Sequence, residues 1–339
     1  MDTTTGYIYV KGASEDTVSV INGTKLIASI IVGKGGSGAI AFNPANGDMY
    51  EANPLSGNVS LIRGTSVVGT IATGGEPSGA VYNPRNGYVY VDDYFSNVFV
   101  INGLAVIANV SIGGVDPQAA AVDPTDGYVY VPGYTSDNVS VINGTSLIAA
   151  ISIGYTNTAG EALPNSAVYD GADGRVYVDN SEWDNVSLIN GTRLVGSVPV
   201  QKGPFGGAFD PENGYVYVTD MVSNNVSIIN GTTVVGTVPV GVDPTFVAFD
   251  PANGYIYTEN TGSNNITVIG ETSIAIPPVP APMPPPPPAR QMTFLGLPEA
   301  EGYVLFGGIL AVPIGAATVL LFYGRGKRPP NPVGSSSGE

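Results

Sequence analysis

The residues of this chain that could do chemistry are carboxylates, aromatic rings and asparagines, because it contains neither histidine nor cysteine. Without these two residue types it cannot build a Ser-His-Asp triad, a cysteine nucleophile or a Cys/His zinc site. A disulfide is excluded as well. We therefore expect no cofactor and no metal site, and we expect that the protein is not an enzyme.

Asparagine carries the most frequent chemical motif, the Asn-x-Ser/Thr sequence that accepts N-linked glycans in exported proteins. We expect several of these sites to carry glycans, which would hydrate a surface with few charges. The alternative is that Asn suits turns while Ser and Thr suit strands, so that internal repetition copies one coincidence. The sites are Asn22, Asn58, Asn109, Asn138, Asn143, Asn185, Asn190, Asn225, Asn230 and Asn265.

Acidic residues outnumber basic ones by 28 to 12, which gives a formal net charge of −16. This excess argues against nucleic-acid binding, which needs Lys and Arg to displace counterions from phosphates. Carboxylates could bind Ca²⁺, but no spacing resembles a calcium loop, so Asx turns are the preferred interpretation. No two carboxylates are singled out as a pair for glycoside hydrolysis. The acidic residues considered are Asp92, Asp93, Asp116, Asp137, Asp179, Glu182, Asp184 and Asp220.

An internal repeat of about 40 residues must position these side chains. The phrase Gly-Tyr-Val-Tyr-Val, or a close variant, begins seven times at spacings of 41, 40, 40, 47, 40 and 40 residues. Short apolar, β-branched and aromatic runs at such a period are typical of four-stranded blades arranged around an axis. The copies begin at Gly6, Gly47, Gly87, Gly127, Gly174, Gly214 and Gly254.

Each repeat contains four predicted strands, A to D, which are clearest in the sixth repeat. Strand A is the small-residue run 205–209, and strand B covers 215–218. Strand C covers 225–229, and an Asn-Gly turn with positive φ at both residues is expected to join it to strand D, 232–238. Small residues in strand A fit the taper near a propeller axis. We therefore predict an all-β, seven-bladed β-propeller over residues 1–276.

The first repeat contains no strand A, so its blade is predicted to lack the innermost strand. Three explanations are open: an incomplete N-terminus, a blade that has three strands, or a strand donated by a neighbouring molecule. We favour the first, because Met1-Asp2-Thr3 shows no secretion signal although the rest of the chain indicates export.

Strand B and the residues after it resemble the YVTN repeat of β-propellers that are common in archaeal surface proteins. The segments Tyr217-Val218-Thr219-Asp220 and Tyr177-Val178-Asp179-Asn180 are close matches, and so is Tyr257-Thr258-Glu259-Asn260. The resemblance covers roughly residues 6–276. It implies a scaffold of surface-layer-like type rather than a particular activity.

The residues after 276 are not propeller. Residues 277–301 form a predicted Pro-rich stalk, with nine prolines between 277 and 288. Residues 302–324 lack charge over 23 positions, which is long enough for a transmembrane helix. Arg325, Lys327 and Arg328 follow at once in the tail 325–339, so the tail is predicted to be cytoplasmic and the propeller outside, at the cell surface.

Antiparallel pairing puts the B–C loops and the D–A crossovers on one face of a propeller. Aromatic and apolar residues in these loops could form a contact patch for sugar or protein. The preferred alternative is that the rings pack over loop backbone. The candidate ligand-binding residues are Tyr94, Phe95, Tyr134, Tyr155, Trp183 and Met221.

The sequence as a whole favours a membrane-anchored, N-glycosylated propeller that serves as a structural or adhesion module at the cell surface. The first alternative is a carbohydrate- or protein-binding propeller that uses the aromatic loops. The second is a propeller enzyme acting on a glycan or lactone. Expected partners are the membrane, N-linked glycans, other surface proteins or glycans, and a second copy. Small residues at Gly307, Ala311 and Gly315 would let two membrane helices approach closely.

Overall fold

Seven antiparallel sheets follow one another along residues 8–269, each formed by consecutive strands of the chain. The computed structural model describes residues 2, 4–11, 16–23, 25–35, 40–113, 116–153 and 161–270, and four short strands between 305 and 325. Residues 1–278 form one unit and residues 279–339 a second, and each is described by itself. We number the sheets as blades 1 to 7 in chain order.

Blade 1 is a three-stranded sheet, as predicted, and blades 2 to 4 have four strands each. Blade 1 contains β1 (Ile8–Lys11), β2 (Thr17–Asn22) and β3 (Lys25–Ile31); blade 2 contains β4 (Ile40–Asn43), β5 (Asp48–Asn53), β6 (Asn58–Arg63) and β7 (Ser66–Ala72), with a 3₁₀ turn at Pro54–Ser56; blade 3 contains β8 (Pro77–Tyr82), β9 (Val89–Asp93), β10 (Asn97–Asn102) and β11 (Ala105–Ser111); blade 4 contains β12 (Ala121–Val122), β13 (Tyr128–Gly133), β14 (Asn138–Asn143) and β15 (Ser146–Ser152).

The remaining blades end with a sheet whose described part has three strands. Blade 5 contains β16 (Pro164–Asp170), β17 (Arg175–Asn180), β18 (Asn185–Asn190) and β19 (Arg193–Pro199); blade 6 contains β20 (Pro204–Asp210), β21 (Tyr215–Asp220), β22 (Asn225–Asn230) and β23 (Thr233–Pro239); blade 7 contains β24 (Pro244–Asp250), β25 (Tyr255–Asn260) and β26 (Asn265–Ile269). The predicted strand D of blade 7 lies outside the described residues.

The core lies between the blades, in six clusters that each join two successive sheets. Alternation along strand B explains this arrangement. In blade 6 the side chains of Val216 and Val218 pack against blade 5, whereas Tyr217 packs against blade 7. A strand buried on both sides has to be apolar at every position, as the repeated Tyr-Val phrase is.

A tyrosine of strand B links each of four blades to the next one. The buried hydroxyl of Tyr90 in blade 3 donates a hydrogen bond of 2.9 Å to the carbonyl of Gly144, in the C–D turn of blade 4. Asn86, in the A–B turn of blade 3, donates to the same hydroxyl at 2.9 Å. This bond places both turn families at one rim, opposite the B–C loops. The same tie joins Tyr9 to Gly64, Tyr50 to Gly103, and Tyr177 to Gly231.

The C–D turns differ from the expected form. Asn143 pairs with Ser146, so Asn143 is the last residue of the strand and Gly144 is the first turn residue. Gly144 has a φ of 59°, and Asn143 is not in the left-handed region. A two-residue hairpin with glycine first is the II′ type. The expectation of positive φ at both Asn and Gly was therefore wrong, because the asparagine belongs to the ladder.

The small residues of strand A lie where successive innermost strands crowd together, as predicted. A Cβ on Gly207 would lie 2.6 Å from Cγ2 of Val168 in blade 5. A Cβ on Gly206 would collide with the backbone carbonyl of Thr245 in blade 7. Both glycines are thus required by the close approach of neighbouring blades.

Residues 305–325 contain four short described strands, β27 (Leu305–Gly307), β28 (Ala311–Ile314), β29 (Ala317–Leu320) and β30 (Tyr323–Arg325). Strand β27 pairs with β30, and β28 pairs with β29. Among the residues described, no helix has the length and apolar character needed to cross a bilayer. The stalk lies outside the described residues, and the transmembrane helix over 302–324 stays a prediction.

Candidate functional site

The B–C loops separate their residues into two environments. The first loop residue is held against the preceding D–A crossover: the backbone N–H of Tyr134 donates to the carbonyl of Asp116 at 3.1 Å. The N–H of Met221 likewise donates to the carbonyl of Gly203 at 2.8 Å. This contact leaves Tyr134 and Met221 half-buried.

The second loop residue points to solvent instead. Phe95 is 63% exposed, and Leu55 and Val222 at the equivalent positions of blades 2 and 6 are 78% and 62% exposed. Blades 4 and 5 carry the polar residues Thr135 and Glu182 there. At this loop position the exposed apolar side chains therefore lie on blades 2, 3 and 6, and only blades 2 and 3 are neighbours. Leu55 and Val222 were missed at the sequence level, although aligning the loops by repeat would have found them.

The other predicted ligand residues do not form one patch. Tyr94 is 36% exposed and lies beside Phe95. Trp183 is half-buried and packs against the apolar cluster between blades 4 and 5. Tyr155 lies outside the described residues.

Asp137 and Asp184, which precede strand C, each join a B–C loop to the D–A crossover that follows the blade. The carboxylate of Asp137 accepts a hydrogen bond from the backbone N–H of Ala162 at 2.7 Å, and that of Asp184 accepts one from Gly203 at 3.0 Å. Asp137 and Asp184 have φ values of 49° and 50°, which Asp tolerates better than most residues. The bonded residues are 25 and 19 positions apart, so these contacts are not the local Asx turns that the sequence favoured for Asp137 and Asp184. Within the described ranges, no three acidic side chains are grouped so that they could hold a metal ion.

Two carboxyl groups are fully buried between blades. Asp92 in blade 3 and Asp179 in blade 5 each have one carboxyl oxygen without a hydrogen-bond partner among the described residues. Burial raises the pKa of both carboxyls well above the usual value, and the charge of Asp220 adds to the effect on Asp179. Burial disfavours the charged form of both groups, and neither contacts solvent, so they are poor candidates for acid–base catalysis.

Two further buried carboxyl groups have partners: Asp220 has a hydrogen-bond donor, and Glu51 has an ion-pair partner. The Asp220 carboxylate accepts a hydrogen bond of 2.7 Å from the Ser227 hydroxyl, yet burial raises its pKa to about 7. Glu51 in blade 2 forms an ion pair with Lys11 of blade 1. Burial nevertheless raises the pKa of Glu51, and Lys11 only partly offsets this effect.

The Asn-x-Ser motifs that open strand C are part of a polar cluster. In blade 5 the amide of Asn180 donates to the Asn185 side chain at 2.6 Å and to the Ser187 hydroxyl at 2.9 Å. Asn53, Asn58 and Ser60 make the same contacts in blade 2. Ser187 and Ser60 are each 2% exposed.

Blade 4 lacks the amide donor that holds this polar cluster together in blades 2 and 5. Gly133 replaces the amide donor there, and the side-chain oxygens of Asn138 and Ser140 have no described hydrogen-bond partner. Of the five Asn-x-Ser/Thr asparagines that open strand C, four are half-buried, and Asn265 of blade 7 is exposed.

The asparagines that end strand C, beside the C–D turns, have a different environment. Asn143, Asn190 and Asn230 are exposed, and so are the threonines two residues later, Thr145, Thr192 and Thr232. Asn22 and Asn109 are exposed as well. The ten motifs therefore fall into two sets. The asparagines of the enclosed set are half-buried: Asn58, Asn138, Asn185 and Asn225. Those of the accessible set are exposed: Asn22, Asn109, Asn143, Asn190, Asn230 and Asn265.

No family model and no curated protein matches this sequence. Among solved structures, the fold is similar to hydrazine synthase of Kuenenia stuttgartiensis, with 19% sequence identity and a TM-score of 0.65 over 79% of this chain and 93% of that chain. Virginiamycin B lyase from Staphylococcus aureus is 11% identical, with a TM-score of 0.67 over 78% and 92% of the two chains. The WD40 β-propeller domain of Doa1 is 11% identical, with a TM-score of 0.62 over 78% and 89%.

These likenesses decide the architecture. The chain is a seven-bladed β-propeller. At such low identity they carry the fold alone, and the fold hosts enzymes and interaction domains alike. The propeller prediction is thus confirmed, whereas the archaeal surface type, the ligand-binding residues and the absence of enzyme activity stay predictions.

Proposed function

We propose that this β-propeller is a membrane-anchored structural or adhesion module at the outer surface of a cell. The observation that carries the proposal is the charge-free segment 302–324 followed directly by Arg325, Lys327 and Arg328. Such a segment with a basic end is typical of a single membrane crossing with the tail inside. The propeller would then be presented outside on a Pro-rich stalk.

Carbonate extraction of membranes from cells that produce the full-length chain tests the anchor. The protein is expected in the membrane pellet, and external protease is expected to remove the propeller. A variant with Leu310→Arg and Val319→Arg should leave the pellet, because charges at the bilayer centre are costly. The matched control carries Val279→Arg and Ala281→Arg in the stalk and should stay. Wild-type protein in the soluble fraction would contradict the proposal.

Glycans would attach to the accessible set of asparagines in this proposal, and Asn58, Asn138, Asn185 and Asn225 would stay free. Strand β14 offers both kinds of site, since Asn138 opens it half-buried and Asn143 ends it exposed. A glycan on Asn138 would have to displace the polar cluster that contains the buried residue Ser140.

Site-resolved mass spectrometry of the exported protein tests this division. Asn143→Gln should remove one glycan from the protein, whereas Asn138→Gln should leave the glycan mass unchanged. Full occupancy at Asn138 in folded protein would refute the structural division. No glycan at any site would count against surface display.

A binding role for the loops is the second candidate, because Leu55, Tyr94 and Phe95 expose apolar surface on blades 2 and 3. Exposed aromatic side chains of this kind are suited to stack on sugar or to fill a partner's pocket. A glycan array should then show binding that Phe95→Ala abolishes and Trp183→Ala preserves. Loss of binding in both variants, or in neither, would reject this assignment.

A further inference from the structure

The sequence contains nine Asn-Gly pairs, and the fold places them in two kinds of turn. In such a pair the backbone nitrogen of the glycine can attack the side-chain amide of the asparagine, because glycine has no side chain to hinder the approach. Four pairs lie in A–B turns, and five lie where strand C meets the C–D turn. The A–B pairs begin at Asn46, Asn86, Asn213 and Asn253, and the C–D pairs begin at Asn22, Asn102, Asn143, Asn190 and Asn230.

The A–B turns hold both of the groups that would react. In blade 3 the side-chain oxygen of Asn86 accepts a hydrogen bond from the backbone N–H of Tyr88 at 3.0 Å, and its amide nitrogen donates to the Tyr90 hydroxyl at 2.9 Å. The backbone N–H of Gly87 donates to the carbonyl of Asn83 at 2.9 Å. The attacking nitrogen and the amide under attack are thus both held. Blades 2, 6 and 7 make the same three bonds.

The C–D turn of blade 3 leaves both groups free. Asn102 is exposed, as Asn86 is, but its side chain makes no hydrogen bond to any described residue. Asn102 pairs with Ala105 across the turn, and Gly103 has a φ of 59°. The N–H of the first turn residue takes no part in the bond that closes such a turn, and the N–H of Gly103 donates to no group in the described part of the chain. Rotation of the Asn102 side chain can therefore bring its amide carbon to this nitrogen.

We propose that Asn102 is a site of spontaneous modification, at which the asparagine is converted to aspartate and isoaspartate. The backbone nitrogen of Gly103 loses its proton and forms a bond to Cγ of Asn102, and the bond from Cγ to Nδ2 breaks. Ammonia leaves, and a succinimide ring remains. Water then opens the ring at either carbonyl, so each conversion consumes one water and releases one ammonia.

Asn102 also differs from the other asparagines of the C–D turns. The other four have Thr two residues later, which completes the glycosylation motif, whereas Leu104 occupies that position in blade 3. A glycan replaces one hydrogen of the amide nitrogen and makes this nitrogen bulkier. Glycans would therefore protect the other four sites but not Asn102. This protection rests on the proposed function, and the conversion of Asn102 does not.

The conversion would act on the junction between blades 2 and 3. The Tyr50 hydroxyl donates to the carbonyl of Gly103 at 3.2 Å. The Leu104 side chain lies against Gly69 of blade 2, where a Cβ would come within 2.9 Å of it. An isoaspartate adds a methylene group to the backbone of this turn and a negative charge beside it. Converted molecules are therefore expected to lose the tie between Tyr50 and the turn.

Peptide mapping of the full-length protein by mass spectrometry tests the assignment. Folded protein is incubated at mildly alkaline pH, where the glycine nitrogen loses its proton more readily, and is then cleaved into peptides that separate Asn86 from Asn102. A converted site gains one dalton in nominal mass, because an NH₂ group is replaced by OH. Asn102 is expected to convert at least about tenfold faster than Asn86, because held groups cannot reach the geometry of attack.

The same protein unfolded in urea is the matched control. Both pairs are then free, so Asn102 and Asn86 should convert at similar rates. Asn102→Gln should abolish the modification in the folded protein, since Gln would have to form a larger ring. Equal rates in the folded protein would overturn the proposal. A difference in urea as large as that in the folded protein would overturn it as well, because the preference would then come from the local sequence.

Asn143 gives a second check, because it is exposed and followed by Gly144 in the same kind of turn. In folded protein produced without glycans, Asn143 should convert at a rate similar to that of Asn102. An Asn143 as resistant as Asn86 would show that a free C–D turn does not permit the attack, and the proposal would fail.

Discussion

Blades 6 and 7 are built from nearly the same repeat, yet the face that each turns away from the preceding blade has a different environment: Val226 and Ile228 are fully buried in blade 6, whereas Ile266 and Val268 are 65% and 49% exposed in blade 7. Strands β21 and β25 pair with strand C in the same register, Tyr217 with Ile228 and Tyr257 with Val268. Tyr217 is 1% exposed in blade 6, whereas Tyr257 is half-buried. A blade of this protein thus acquires its core from its neighbour, and the same sequence is interior in one copy and surface in the next.

The largest effect is expected from a charge on this face. Val226→Asp should destabilise the fold by more than about 4 kcal/mol, because it buries an unpaired carboxylate between blades 6 and 7. Ile266→Asp should change stability by less than about 0.5 kcal/mol, because the side chain already lies in solvent. Urea unfolding of both variants gives the comparison. Equal losses would mean that blade 7 is covered in solution.

A pH effect is expected at strand B, where blade 6 has Asp220 and blade 7 has Asn260 at the same position. Folded Asp220 keeps its proton up to a pH of about 7, whereas in the unfolded chain it ionises near 3.9. Below about pH 4 both states are protonated, so Asp220 costs nothing there. As the pH rises from about 4 to 7 the unfolded state gains stability by ionising, and the fold loses about 2–4 kcal/mol.

Asp220→Asn should remove this part of the pH dependence, and Asn260→Asp should add a similar slope. Unfolding midpoints at pH 4 and pH 7 measure both changes. A wild-type protein that is more stable at pH 7 than at pH 4, with the difference abolished by Asp220→Asn, would show that the sign is wrong.

A smaller effect is expected at strand A. Gly206→Ala should cost about 1–3 kcal/mol, because its new methyl group meets the backbone of Thr245 in blade 7. Phe246 occupies the matching position in blade 7 and is exposed. Phe246→Ala creates no clash and removes only an edge contact with the Phe205 ring, at 6.3 Å between centroids, so it should cost less, about 0.5–1.5 kcal/mol. Thermal unfolding separates the two, and a harmless Gly206→Ala would mean that the innermost strands are less crowded than described.

The smallest effect belongs to the tyrosine tie. Tyr90→Phe removes the hydrogen bond to Gly144 and should cost about 0.5–1.5 kcal/mol. Tyr257→Phe should be close to neutral, since this hydroxyl reaches no following blade among the described residues. Hydrogen exchange at the Gly144 turn should increase in the first variant alone. A change in both variants would point to a role of the A–B turns.

The repeat could be predicted from the sequence because Tyr and Val alternate with a period of two and the turns carry Asp, Asn and Gly. Strand bounds and blade number followed from these local signals. The burial of Asn58 and the exposure of Asn143 could not be predicted, because they depend on which residue strand B places opposite each asparagine. The exposure of Leu55 and the partial burial of Tyr134 depend likewise on contacts with a crossover some 20 residues away. Ile266 is the extreme case, since its burial depends on a neighbour rather than on its own sequence.

The tyrosine tie also gives the molecule a direction. Every hydroxyl that makes it reaches forward, from a lower-numbered blade to the next one. The hydrogen bonds therefore run one way along the chain, from strand B of one blade to the C–D turn of the next. A blade moved to another place in the chain would therefore keep this bond only if its C–D turn still followed a blade that carries the tyrosine.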